Sequence, residues 1–139
     1  MSMPSSLVVA LLAVASSGAS CGTSPSSPHS VPLAQEFTLV PGQTARVEGA
    51  DLAVTFESVS ADSRCPQGVT CVWEGDAVVL VSVRVDGQPA ARRELHTARG
   101  SEAEAGSYRV RLVGLAPVPR AGASPAPGEY RATFLVNRT

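Results

Sequence analysis

From residue 36 onward, apolar and polar positions repeatedly alternate with a period of two, the signature of strands with one face in a core and the other in water. Phe37 and Leu39 alternate with Glu36 and Thr38. Pro41-Gly42 then supplies a tight turn, proline fixing the first central φ and glycine accepting a positive one, into a strand carrying Ala45 and Val47. This pair reads as a hairpin. Leu52, Val54 and Phe56 form a third strand, and Ala77 to Val85 is Val-rich enough for a central one. Asp86-Gly87 closes a two-residue hairpin. The returning Ala90 to Thr97, with Arg92, Arg93 and Glu94 beside Leu95, predicts an edge strand guarded by charge. Tyr108, Val110 and Leu112 alternate with Arg109 and Arg111, and Gly114 marks a bulge. Residues 116 to 129 hold four prolines and predict a loop before a last strand with Tyr130, Ala132, Phe134 and Val136. Seven strands and no helical pattern point to an all-β fold, a small antiparallel β-sandwich of immunoglobulin-like size running from residue 34 to residue 139.

The remaining 33 residues have a different character. Leu7 to Ala15 is an apolar run too short for a stable membrane span and suited to an export signal over residues 1–20. It ends at Gly18-Ala19-Ser20-Cys21, which resembles the lipobox of bacterial lipoproteins, in which the cysteine is diacylated and becomes the mature amino terminus. The resemblance implies lipidation of Cys21 and a membrane partner through that anchor. Gly18 stands where the pattern prefers leucine, and Ser17-Gly18-Ala19 also suits ordinary secretory cleavage after Ala19, so that alternative stays open. Residues 21–33 are Ser/Pro-rich, with too little apolar content to fold, and read as a tether. His29 within it is a lone histidine and reads as a solvated spacer residue.

Cysteine parity sharpens the picture. Lipidation of Cys21 leaves Cys65 and Cys71, which an oxidising envelope would join. Five intervening residues exceed the usual zinc-knuckle spacing and His96 is the lone histidine of the predicted domain, so a disulfide is favoured over a metal site. So short a loop contributes only about 2 kcal/mol by the chain-entropy argument, and its larger effect is to fix shape. Trp73 just beyond it reads either as a structural plug, folded on the disulfide or into the core, or as part of a presented recognition loop with Arg64 and Glu74.

The segment Ser63-Arg-Cys-Pro-Gln-Gly-Val-Thr-Cys-Val-Trp-Glu-Gly-Asp-Ala77 resembles a family of small uncharacterised bacterial lipoproteins with an SRCP…CVWxGxA signature. Pro41-Gly42-Gln43, the strand from Tyr108 to Leu112, and Pro117 and Pro119 followed by Tyr130 to Phe134 extend the likeness over roughly residues 36 to 136. It implies location and fold and supplies no reaction.

Composition narrows the function classes. A net charge of −1 and a pI near 6.1 give no global case for nucleic-acid binding. Six aromatics leave few for an exposed stacking platform once the core is filled. Residues 21 to 83 hold two Arg against seven acids, and residues 84 to 139 nine Arg against five. Arg92, Arg93, Arg109 and Arg111 are candidates to line one sheet face, though solvated strand faces explain them as well. All basic residues are arginine, a bias that assigns no site by itself. No nucleophile elbow, glycine-rich phosphate cradle or cofactor motif occurs, and Asp62, Glu74 and Asp76 near Arg64 read as exposed ion pairs. The expectation is an exported, lipid-anchored envelope binding module that is not an enzyme and that meets an envelope protein partner. A purely structural envelope lipoprotein and a hydrolase built on dispersed acids are the alternatives.

Overall fold

A computed structural model describes residues 28–139 and, before them, Gly18; the rest of the expected export signal, and Cys21, lie outside the described residues. The described residues form nine strands: β1 (His29–Pro32), β2 (Glu36–Leu39), β3 (Thr44–Glu48), β4 (Leu52–Asp62), β5 (Ala77–Val85), β6 (Ala91–His96), β7 (Glu102–Ala105), β8 (Tyr108–Ala116) and β9 (Arg131–Arg138). One sheet has the order β1-β3-β4-β5-β6 and the other β2-β9-β8-β7. The two pack as an all-β sandwich. Period-two alternation does its expected work: Val79, Val81 and Val83 of β5 and Ala132, Phe134 and Val136 of β9 all face the core. Phe134 is the hinge of that core, 5.9 Å from the Phe37 ring beside it and 6.2 Å from Phe56, edge to face across the sandwich.

Four elements differ from the sequence reading. The turn at Pro41-Gly42 exists, with Gln43 N–H donating to Val40 O at 3.0 Å, but it does not make a hairpin. It carries the chain from one sheet to the other: β2 pairs with β9, Phe37 opposite Phe134, while β3 pairs with β4. Alternation fixes which face of a strand is buried; it does not choose the partner strand. The domain also begins earlier than residue 34. β1 lies within the predicted tether, runs parallel to β3 and buries Val31 to 2% exposure. With one apolar side chain to place, β1 shows no period to read. β7 escaped for a related reason, because Glu-Ala-Glu-Ala alternates with little hydrophobic contrast. Lastly, β4 runs to Asp62 with irregularities after Phe56 and Val59 that interrupt the alternation. The bulge expected at Gly114 is present, the register shifting between Leu112 and Gly114.

The sandwich has two unlike poles. At one, tight turns at Gly49-Ala50, Asp86-Gly87 and Gly106-Ser107 join neighbouring strands. At the other lie the long connections, residues 63–76 between β4 and β5 and residues 117–130 between β8 and β9.

Candidate functional site

The cysteine loop begins as a continuation of the β4–β5 ladder. Ser63 N–H donates to Asp76 O at 2.7 Å and Cys65 N–H to Glu74 O at 3.0 Å, so the hairpin projects past the end of the core before it turns. Cys65 and Cys71 are joined as a disulfide, with Cα atoms 5.9 Å apart. Gly75 permits the close approach of the two limbs: its φ is +74°, and a Cβ there would stand 1.9 Å from Ser63 O. Gln67 N–H donates to Pro119 O at 2.7 Å, tying the tip to the proline-rich loop.

Because the hairpin overshoots the core, Trp73 is not a plug. It is 83% exposed and Val72 is 91% exposed, with Val69 and Val118 also outside. Tyr130 and Leu115 close the core at this pole instead. Glu74 is exposed as expected.

Arg64, expected in the recognition surface, is turned inward, its side chain only 12% exposed. Nε donates to Asp62 Oδ1 at 2.8 Å and Nη2 to Asp62 Oδ2 at 2.7 Å, a two-pronged pair. Nη1 reaches Leu115 O at 2.6 Å and Nη2 reaches Pro117 O at 2.9 Å. Tyr130 Oη donates to Asp62 Oδ2 at 3.0 Å. The group is a pin that fastens the base of the cysteine loop to the end of β8 and to the connection between β8 and β9 in the opposite sheet. Burial pushes the Asp62 carboxyl up, but the bonds from the Arg64 side chain and backbone and from Tyr130, with the guanidinium charge, outweigh it and hold it below the usual carboxylate range. Burial pushes the Tyr130 phenol up, and the Asp62 carboxylate adds to that shift.

Asp76 meets His96 rather than Arg64, with Nδ1 and Oδ2 2.5 Å apart. Its other oxygen accepts from Ala98 N–H at 2.9 Å and from the Thr97 hydroxyl at 3.2 Å. The Thr97 hydroxyl is bonded to the carboxylate and to Ala77 N–H, not to the imidazole, so the imidazole is not placed to draw a proton from it. Partial burial pushes the Asp76 carboxyl up; the bonds from Ala98, His96 and Thr97 more than offset this and leave it below its usual value. A carboxyl lowered on folding contributes stability that is complete above its unfolded pKa of about 3.9 and is lost as pH falls through the folded value. Asp76→Asn is therefore expected to flatten the stability loss below about pH 4. Urea midpoints of both proteins between neutral and acid pH measure this, and identical acid limbs would refute it.

The expected pairing of acids around Arg64 thus holds only for Asp62, and that pair is largely covered rather than exposed. Nor do the four arginines share a face: Arg92 and Arg93 lie on β6 and Arg109 and Arg111 on β8, in different sheets. Arg92 pairs with Glu57 at 2.8 Å, while Arg109 and Arg111 sit near Glu102. An open cleft of about 560 Å³ runs beside the proline-rich loop between Val118, Arg120, Ser124 and Arg131, a feature without a sequence signal because it lies where no periodic pattern exists. Among the described residues no group of three or more His, Cys, Asp and Glu is placed to hold a metal. Comparison with known proteins finds no matching family model, no matching curated protein and no matching solved structure.

Proposed function

We propose that this chain is an exported bacterial envelope protein of the small SRCP…CVWxGxA lipoprotein type, anchored through acylated Cys21, whose β-sandwich is a binding module presenting the Cys65–Cys71 loop. The observation that carries this reading is the exposure of Val72 and Trp73 on a loop braced by the disulfide, by the Gly75 close approach and by the Arg64 pin. An exposed tryptophan on a rigid support binds with little ordering cost. A domain that served only as a spacer would gain nothing from holding two large apolar side chains in water.

Mass spectrometry of the protein isolated from envelopes is expected to find an amino terminus at acylated Cys21; cleavage after Ala19 with a free thiol would refute anchoring. A photo-crosslinker at position 72 is expected to give a specific adduct in cells, which Trp73→Ala abolishes. Trp73→Ala should change the unfolding free energy by no more than about 0.5 kcal/mol, as for other surface substitutions. No adduct from position 72 would favour the purely structural alternative, and unfolding of Trp73→Ala would refute the contact role.

A further inference from the structure

The proposed contact loop lies at the pole toward which β1 points when followed back to its first residue, His29. β1 is an edge strand parallel to β3, His29 opposite Ala45 and Pro32 opposite Glu48. β3 is antiparallel to β4, Ala45 opposite Val54, and β4 continues from Val54 to Asp62 at the base of the loop. Followed from Pro32 back to His29, the chain therefore points toward the cysteine-loop pole. From Val83, level with Val54, to Ala77, level with Asp62, β5 has six steps, about 20 Å of rise. Cys21 to His29 is eight steps, a reach of about 26–29 Å when extended. Cys21 can thus stand beyond the end of the sheet, beside the loop.

The apolar surface is gathered at the same pole. Of the five exposed large hydrophobic side chains among the described residues, Val69, Val72, Trp73 and Val118 belong to its two loops. Residues 66–73 carry no charge, so their side chains can enter a headgroup region without desolvating an ion. The opposite pole presents Asp51 and Asp86 beside its turns.

We infer that Trp73 and Val72 dock in the interfacial layer of the leaflet that holds the acylated Cys21, seating the sandwich on its cysteine-loop pole. This rests on the anchored, loop-presenting reading above and names the partner of that loop as a lipid surface. Tryptophan suits this layer because its ring is apolar and its indole N–H finds water or headgroup acceptors. Insertion goes no deeper than the side chains, since loop backbone groups need partners that hydrocarbon lacks. The acyl chains hold the protein on the bilayer; the loop sets its orientation. The short tether keeps the tip at high local concentration, so a weak contact stays populated.

Trp73 is the sole tryptophan, so the fluorescence of the full lipidated chain reports on this loop alone. The chain is reconstituted in phosphatidylethanolamine–phosphatidylglycerol vesicles with and without bromine on the upper acyl chain. The expected result is blue-shifted emission and a loss of intensity in the brominated vesicles. Val72→Asp should restore that intensity without altering thermal stability, since position 72 faces water. Water-like emission, unquenched by bromine, overturns the docking. If position 72 then crosslinks a protein in cells, the contact reading survives with a different partner; if it crosslinks nothing, both fall. An unacylated Cys21 overturns the anchor and the docking together.

Discussion

Phe134→Ala is expected to lower the unfolding free energy by about 3–5 kcal/mol, the range for deleting a buried aromatic ring. Phe134 is fully buried and touches Phe37 in its own sheet and Phe56 in the other, so its removal opens a void on both sides of the interface. The surrounding valines are β-branched and fixed in their strands, which limits how far the void can collapse. Chemical denaturation measures the loss. A change below about 1 kcal/mol would mean that the sheets do not meet at this ring.

Arg64→Ala should cost about 2–3 kcal/mol, at or below the lower end of the range for breaking a fully buried pair, because this one is only part-buried. The reason is what it leaves behind. The Asp62 side chain is only 6% exposed and would keep Tyr130 as its side-chain partner, while Leu115 O and Pro117 O would lose their guanidinium donor. Arg64→Lys should recover only part of the loss, since an ammonium cannot reproduce the fork that holds both carboxylate oxygens and the two carbonyls. The double variant with Asp62→Asn should be less destabilised than the sum of the single changes, because both act on one network. Full stability of Arg64→Ala would show that the pin does not join the sheets.

How these residues looked in the sequence depends on what each contribution requires. The alternation in β5 and β9 records burial on one face, so the core, the all-β class and the edge position of β6 were readable. Strand partnership is a long-range choice, and Phe37 opposite Phe134, nearly a hundred residues away, leaves no local trace. The same distance hid the pin. Arg64 and Asp62 are two residues apart and look like an exposed pair until Leu115 of β8, and Pro117 and Tyr130 of the β8–β9 connection, arrive from across the fold. Cys65 and Cys71 announced a closed loop, but the exposure of Trp73 depends on how far the hairpin runs beyond the core. That length is set by backbone bonds at Ser63 and Cys65, which no side-chain pattern encodes.

β1 has a mechanical meaning as well. Its four residues run parallel to β3 at the edge of the five-stranded sheet. A pull applied at His29 along the strand axis would load the β1–β3 hydrogen bonds in shear, all together, instead of peeling them one at a time from a free end. An edge strand that would unzip under a sideways pull becomes a grip under a lengthwise one, and Val31, locked in the core, is the tooth of that grip.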